Sequence, residues 1–274
     1  MYRVFVFVVF LINVSCKSTK LPTKKFSQYE YFKSYSFENN NLRIALKNPL
    51  DCPLRVWMFN NDTLLQNKFS QINPIELKSK SDTIITLLNV SKIKDEIRFS
   101  SRLGSLSKDI EQIKLDLPFT IDKEYKIIQG NNTNYTHNSD WSRYALDFNL
   151  KTNDTICSAT SGFVVGVVDR YKLGGKSDKW KPYGNYVTVY EPKSGLFTQY
   201  VHLTKNGSLV QLGDKVISGE PIALSGNTGQ TDIEHLHFSC LIPINNNDGL
   251  KSIPFEFKQG YKSQELKKND VVRK

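Results

Sequence analysis

Short apolar stretches separated by turn-forming residues run through most of this chain, and they predict strands. Residues 42–47 alternate apolar and polar side chains, which is the period-two pattern of a strand with one buried face. Residues 162–168 form a continuous apolar run of strand length. Residues 185–190 and 196–201 flank the turn sequence EPKSG and predict a hairpin. The pattern therefore indicates a mainly β protein with antiparallel pairing.

Turn clusters and composition divide the chain into five predicted segments. Residues 1–16 are a signal peptide, 17–37 a lysine-bearing tether or an ordinary solvated linker, and 38–120 a small β-sandwich-like accessory domain with a hairpin turn at residues 60–62. A second, mostly antiparallel β domain without a long helix occupies residues 121–245. Residues 246–274 are a charged C-terminal tail, with a last strand at residues 253–257 and a mobile end.

The first residues have the form of an export signal, with one early Arg3 and an apolar run over residues 4–12. This run is too short for a membrane-spanning helix, which needs about 20 apolar residues. It ends at Val14-Ser15-Cys16, which resembles the lipobox of bacterial lipoproteins, although Asn13 stands where Leu, Val or Ile is usual. We expect lipidation at Cys16 and a membrane-anchored lipoprotein. Plain cleaved secretion and an uncleaved anchor are the alternatives.

The net charge of +10 suggests an acidic partner such as nucleic acid or a membrane surface. The excess of Lys and Arg lies in the amino-terminal half and the tail, whereas residues 122–245 carry equal numbers of basic and acidic side chains. All four histidines fall within that neutral segment. We therefore expect no nucleic-acid partner, and we expect an anionic membrane surface to attract the basic residues that follow Cys16.

If Cys16 is lipidated, three cysteines remain, and nothing in their spacing resembles a cysteine zinc site. In an oxidising compartment one of three must stay unpaired or pair outside the chain. Cys157 and Cys240 lie in apolar, strand-like surroundings. Buried free thiols are the favoured interpretation for Cys52, Cys157 and Cys240, and a disulfide between Cys157 and Cys240 is the alternative.

The run HLHFSC predicts a strand that carries two of the four histidines, His235 and His237. Side chains alternate between faces along a strand, so both imidazoles point the same way. Two solvated histidines on a half-exposed strand would give the same pattern. Asp147 lies between apolar neighbours in another strand-like run, and a buried carboxylate there requires a partner. A metal ion would provide one, and so would loop amides or Arg143.

Residues 125–243 resemble the lysostaphin-type zinc metallopeptidases, which cut peptide bonds in bacterial peptidoglycan. The matching runs are RYALDF, GFVVGVV, YGNYVTV, TQYVHL, LGDKVISGEPIALSGNTG and HLHF, in the family's order and with reasonable spacing. The resemblance implies a lysostaphin-type antiparallel β catalytic domain, behind the β-sandwich-like one, and one Zn²⁺ per chain.

Carried over to this sequence, the resemblance assigns the metal to Asp147 and His237 and gives catalytic roles to His202 and His235. Many family members have the remaining ligand histidine at the position of Arg143, which cannot serve. The arrangement QG…THN…RYALDF instead resembles a branch whose ligand lies on the preceding loop, so His137 takes that role. Before HLHF the family has a Ser-Thr-Gly-Pro-like run, and this chain has TDIE, which changes the expected loop shape and substrate fit.

Two imidazoles and one carboxylate leave a zinc position open for water, as catalytic sites do. We therefore expect a zinc endopeptidase that hydrolyses peptidoglycan stem-peptide cross-links and faces the periplasm from a lipid anchor in the membrane. His202 and His235 would divide the roles of general base and oxyanion stabiliser, in an order that the residues leave open. The alternatives are a non-catalytic peptidoglycan-binding or partner-activating scaffold of the same fold, and an envelope peptidase with a protein substrate.

Overall fold

The computed structural model describes residues 20–274. The predicted signal peptide and the lipidation site Cys16 lie outside the described residues. Among the helices that are described, none has the length and apolar character needed to cross a membrane.

Two small antiparallel sheets and one helix form the amino-terminal part. Its elements are β1 (Phe32–Glu38), β2 (Asn41–Lys47), β3 (Leu54–Phe59), α1 (Thr63–Ile72), β4 (Ile75–Leu77), β5 (Asp82–Leu87) and β6 (Arg98–Leu103). One sheet has the order β1-β2-β5 and the other β4-β3-β6. Buried side chains from both sheets, such as Ile44 and Val56, belong to one core. This core also contains side chains of the second half, such as Val165 and Tyr190.

The predicted hairpin turn at residues 60–62 is wrong, because these residues lead into helix α1 instead of directly into a second strand. The carboxylate of Asp62 caps the helix by accepting a hydrogen bond from the Leu65 backbone N–H at 3.0 Å. Leu65 and Phe69, one helical turn apart, are both buried and attach the helix to the core. Because the helix buries only these two side chains, its pattern of apolar residues in the sequence is too short to distinguish from that of a turn.

The interpretation of residues 17–37 as a tether is wrong for its second half. Residues 32–38 form strand β1, which pairs with β2 along its whole length. Further upstream, the Phe26 N–H donates to the Tyr171 hydroxyl at 2.9 Å, and the Gln28 carbonyl accepts from the Val167 N–H at 3.0 Å. The chain therefore lies against the second half of the protein from Phe26 onwards.

The strands of the second half are β7 (Lys114–Leu115), β8 (Glu124–Gln129), β9 (Leu146–Phe148), β10 (Thr155–Cys157), β11 (Gly162–Val168), β12 (Gly174–Gly175), β13 (Tyr186–Glu191), β14 (Leu196–Val201), β15 (Leu203–Ser208), β16 (Lys215–Val216), β17 (Pro221–Ser225), β18 (Gly229–Gln230), β19 (Leu236–Pro243), β20 (Leu250–Ser252), β21 (Glu256–Phe257) and β22 (Val271–Arg273). Nine of them form one antiparallel sheet with the order β16-β11-β13-β14-β19-β9-β8-β22, in which β20 pairs beside β19. The predicted hairpin is confirmed as β13 and β14. A 3-10 helix at Asp178–Tyr183 buries Trp180 within the long loop before β13.

The two faces of the large sheet pack into different cores. On one face, Tyr200 and Phe238 enter a core that the small sheet β10-β17-β15 helps to enclose. On the opposite face, Phe197 and Leu241 are fully buried in the same core as the amino-terminal sheets. The amino-terminal part therefore packs directly on the large sheet.

Arg55 adds a polar link between the two parts. Its guanidinium is fully buried and donates to the carbonyl oxygens of Leu103, Gly104, Ile244 and Gly249 at 2.7–3.0 Å. The last two of these carbonyls belong to the turn between β19 and β20. Four acceptors satisfy the buried guanidinium, which has no carboxylate partner within residues 20–274.

The prediction of a mobile C-terminal tail is wrong. Strands β20, β21 and β22 pair with β19, β7 and β8, respectively. Phe255, Phe257 and Val272 are buried in the main core, while the charged side chains between them remain at the surface. In the sequence, the apolar residues of this segment are spread among many charged ones. For this reason the folded segment has the residue pattern of a solvated tail.

The cysteines of the described residues are all free and buried. Cys157 and Cys240 do not form a disulfide, in agreement with the favoured interpretation of buried thiols.

A test of the folded tail is the substitution Phe257→Ala. Phe257 is fully buried against the rings of Phe148, Phe238 and Phe255, so the truncation should cost about 3–5 kcal/mol of unfolding free energy. Denaturant unfolding measures this loss. Ile121→Ala, at a side chain that is 73% exposed, is the matched control and should change stability by less than about 0.5 kcal/mol. Equal stability of the two variants would contradict a folded tail.

The contact between Asp116 and the end of the tail should make stability depend on pH. Burial raises the pKa of Asp116, but the hydrogen bond from Gln259 at 2.9 Å and the Lys274 ammonium at 3.2 Å outweigh it and lower the pKa. The stabilisation is therefore present above the unfolded-state pKa of about 3.9 and is lost as the pH falls through the folded value. The stability difference between wild type and Asp116→Asn should shrink between about pH 7 and pH 3. Asp109→Asn is the control, and a pH-independent difference would argue against the contact.

Candidate metal centre

Strand pairing places two of the predicted metal-binding side chains opposite each other. His237 lies on β19 and faces Asp147 on the neighbouring strand β9 as its direct antiparallel partner. Side chains of such opposed residues lie close together on one face of a sheet. The His237 Nδ1 atom and the Asp147 Oδ1 atom are 2.8 Å apart.

The third predicted ligand, His137, comes from the loop between β8 and β9. Its side chain is fully buried, and its Nδ1 is 2.8 Å from the Gly130 carbonyl oxygen, to which it donates a hydrogen bond. This bond leaves the lone pair of Nε2 directed at the other two groups. Nε2 lies 3.2 Å from His237 Nδ1 and 3.2 Å from Asp147 Oδ1.

The three donor atoms fit a metal ion. They lie within 4.8 Å of one another, and their separations of 2.8–3.2 Å approach the edge of a tetrahedron, about 3.3 Å, for zinc bonds of about 2.0–2.1 Å. His237 Nε2 lies 3.3 Å from the Ser239 hydroxyl and can donate there, so that Nδ1 keeps its lone pair. Two nitrogens and one carboxylate oxygen form an open, three-residue donor set.

His202 and His235 stand beside this group. Their ring centroids are 4.5 Å apart, and that of His202 is 5.9 Å from His237. His202 Nδ1 lies 2.7 Å from the Thr228 carbonyl, and His235 Nδ1 lies 2.9 Å from the Ile233 carbonyl. Each ring therefore donates through Nδ1 and keeps the lone pair of Nε2 unused, and His235 Nε2 lies 3.7 Å from Asp147 Oδ2. His235 and His237 lie on the same side, as predicted, although β19 begins only at Leu236.

The backbone of His202 is strained, with φ at +69°. Left-handed backbone is uncommon for residues other than glycine, and in folded proteins such strain is concentrated at functional sites. The residue lies between β14 and β15, where the chain leaves the large sheet. The strained turn holds the imidazole between the Thr228 carbonyl and the other histidines.

The pKa shifts of Asp147 and His237 favour the forms in which these residues bind metal, whereas the shift of His137 favours its protonated form. Burial would raise the pKa of Asp147, but His137 and His235 hold it well below its usual value. Burial lowers the pKa of His237, and that of His202 is held well below its usual value by burial and by His235 and His237. For His137, the carboxylate of Asp147 outweighs burial and raises the pKa. A charged carboxylate beside neutral imidazoles is the ligand form of these residues.

An open cleft of about 890 Å³ is lined by Asp147, His202, His235 and His237, whereas His137 is fully buried behind them. His237 keeps 12% of its side chain exposed, so the cleft reaches the donor group. Residues that the sequence did not single out line the cleft as well, including Gln129, Trp141, Lys181, Gln199, Lys267 and Lys268. Trp141 also packs against the core of the amino-terminal part. These residues come from distant positions, and only the folded chain gathers them.

The proposed alternative partner of Asp147 is not used. Arg143 is exposed, whereas the Asp147 carboxylate contacts His137, His235 and His237. The structure therefore brings together every histidine and the aspartate that the sequence predicted for the site.

Comparison with known proteins relates the residues of this site to a protein family. The model of Peptidase family M23 matches residues 142–248. Residues 142–248 are an M23 peptidase domain. His137 lies upstream of the matched residues, although its imidazole completes the donor set.

Relatives of the M23 domain include two named endopeptidases. The peptidoglycan DD-endopeptidase ShyA of Vibrio cholerae serotype O1 is 43% identical over 68 residues, which are 23% of this chain and 15% of that protein. The glycyl-glycine endopeptidase ALE-1 of Staphylococcus capitis is 30% identical over 126 residues, 44% of this chain and 31% of its own. The chain thus spans less than a third of the length of either relative.

Among solved structures, the lysostaphin catalytic domain of Staphylococcus simulans matches with 23% identity and a TM-score of 0.35, over 48% of this chain and 88% of that domain.

Measurements of metal binding should distinguish the predicted ligand histidines, His137 and His237, from His202, which lies outside the donor set. His137→Ala, Asp147→Ala and His237→Ala each remove a donor atom and should abolish the binding of one divalent ion per chain. His202→Ala should retain it, because His202 lies outside the donor set. Native mass spectrometry of chelator-treated protein, after exposure to zinc, measures the stoichiometry. If His137→Ala still bound one zinc ion per chain, His137 would not be a metal ligand.

Proposed function

We propose that this protein is a zinc-dependent endopeptidase that hydrolyses peptide cross-links of bacterial peptidoglycan. The observation that carries the proposal is the convergence of His137, Asp147 and His237, two of which line an open cleft, with His202 and His235 beside them. The M23 match and the names of the relatives support the substrate class.

The donor set suits zinc, which prefers nitrogen and oxygen ligands and, with three protein ligands, keeps one position for reaction. Bound there, zinc would supply Lewis acidity and lower the pKa of a coordinated water to about 7. His137, Asp147 and His237 would hold the ion, and the hydrogen bonds to Gly130 and Ser239 would orient the two imidazoles.

The two remaining histidines supply proton transfer and charge stabilisation. The low pKa of His202, caused by burial and by the neighbouring histidines, keeps its ring neutral, and the Thr228 carbonyl fixes the proton on Nδ1. Nε2 can therefore accept a proton from the attacking water. His235 is oriented in the same way by the Ile233 carbonyl. Either ring, once protonated at Nε2, becomes a donor to the carbonyl oxygen or to the leaving amine.

The proposed substrate also sets the location. Peptidoglycan lies outside the cytoplasm, and the predicted signal at residues 1–16 would export the chain and attach it to a membrane through Cys16. We therefore propose a lipoprotein of the cell envelope, facing the periplasm. Metabolic labelling with a lipid analogue, lost in Cys16→Ala, tests this part separately.

Digestion of purified sacculi tests the activity. Wild type should release muropeptides whose masses identify the cleaved bond, and a chelator should abolish the release. His202→Ala and His235→Ala should lower the rate by at least about a hundredfold, because each removes a proton-transfer group. Zinc content and sacculus binding of these variants are the controls, and both should remain at wild-type levels.

Two outcomes would contradict the proposal. Zinc-loaded wild type that binds sacculi of several cross-link chemistries without cutting any would indicate a binding scaffold of the same fold. Cleavage of casein or a peptide library, with intact sacculi, would indicate an envelope peptidase with a protein substrate.

A further inference from the structure

The C-terminal segment forms part of the cleft, although it lies outside the residues matched by the M23 model. Leu266, Lys267 and Lys268 line the cleft beside Ile128, Gln129 and Gly130 at the end of β8. Leu266 is 8% exposed and packs into the main core, whereas both lysines are exposed. One wall of the cleft is therefore built by the segment that the sequence suggested to be a mobile tail.

The turn that carries the two lysines is held rigidly on β8. The Asn269 N–H donates to the Ile127 carbonyl, and the Ile127 N–H donates to the Asp270 carbonyl, both at 2.8 Å. Within the turn, the Asp270 carboxylate accepts from the Lys267 N–H at 2.7 Å. Asn269 adopts φ of +80°, which asparagine tolerates better than most residues. These bonds fix the backbone from which the two ammonium groups extend.

The turn also touches the residue that orients the loop histidine. A side chain at Gly130 would place its Cβ 2.6 Å from the Leu266 carbonyl oxygen, so the two backbones pack without room for one. The Gly130 carbonyl accepts the hydrogen bond from His137 Nδ1. The lysine-bearing turn thus lies next to the His137 side of the donor group.

Lys267 and Lys268 form no ion pair with an acidic side chain within residues 20–274. Asp147 is buried among the histidines, Asp232 pairs with Lys176 at 3.5 Å, and Asp178 pairs with Lys181 at 3.6 Å. The Asp270 carboxylate of the same turn accepts the backbone N–H of Lys267 at 2.7 Å. The rim of the cleft beside His137 therefore carries two ammonium groups without an ion-pair partner and one carboxylate, a net positive charge.

We propose that the turn of residues 266–270 is a substrate-binding rim, on which Lys267 and Lys268 bind a free carboxylate of the peptide that lies in the cleft. The proposal rests on the proposed function and adds a preference for anionic peptides. A carboxylate on the His137 side of the scissile bond would find its counter-charge there, and ammonium groups at a cleft mouth also speed the encounter with anionic ligands.

The test uses soluble cross-linked muropeptides, either with free carboxyl groups or with these groups converted to neutral amides. Wild type should show a kcat/KM about tenfold higher on the acidic form, mainly through KM, because exposed charge pairs contribute modestly to binding. In Lys267→Gln/Lys268→Gln this ratio should fall towards one, and in Lys267→Glu/Lys268→Glu it should fall below one. Added salt should lower the ratio of the wild-type kcat/KM values for the acidic and amidated forms, because it screens the charges.

Lys123→Gln/Lys126→Gln is the matched control. It removes the same charge from exposed positions at β8 that do not line the cleft, and it should keep the wild-type ratio. An equal ratio in wild type and Lys267→Gln/Lys268→Gln would overturn the inference, even if cleavage itself supports the proposed function.

Binding distinguishes the failure of the two proposals. If wild type cleaves neither muropeptide form, the proposed function fails, and calorimetric titration with the same two forms decides the inference. Tighter binding of the acidic form, lost in Lys267→Gln/Lys268→Gln but kept in the control, would support the rim. Equal affinity for both forms would overturn it.

Discussion

The antiparallel pairing of β9 with β19 is the constraint on which the site depends. It sets Asp147 directly opposite His237 and presents both to the cleft, at the correct distance for one shared ion. A slip of one residue would move His237 to the face that holds Phe238 and place an apolar ring at the cleft. The buried Phe238 and Leu236 prevent that slip, because exchanging them with His237 would put an imidazole into the main core. The packing of the core thus fixes the relative positions of Asp147 and His237.

The same sheet face serves two purposes along its length. Near one end, Phe197 and Leu241 are covered by the amino-terminal sheets; near the other, Gln199 and His237 line the cleft. Strand alternation puts Phe197 with Gln199, and His237 with Leu241, on one face. Trp141 touches both regions, since it lines the cleft and packs against the amino-terminal core. Among residues 20–274, the amino-terminal part contributes no side chain to the cleft lining, and its core meets this region at Trp141.

The sequence predicted the long strands and the site histidines because each leaves a local signal. The run GFVVGVV has the length and apolar content of β11, and HLHF places two imidazoles on one side of a strand. His137 has no such local signal and was reached only through the family resemblance. Helix α1, the docked residues from Phe26 and the folded tail were missed, because their buried positions are few and lie among charges. Their order comes from long-range contacts, such as Leu266 on the main core, which no short window of sequence contains.

The buried Arg55 has a consequence for how this molecule can be divided. Its four hydrogen bonds end on carbonyls from both parts of the chain, and around it the large sheet shares an apolar core with the amino-terminal strands. Cutting the chain down to the M23 match would uncover Phe197 and Leu241 and leave the Ile244 carbonyl without its donor. Buried apolar area and paired polar groups shared in this way make two regions unfold together. We therefore expect the M23 domain and the amino-terminal part to unfold together, as a unit larger than the M23 match.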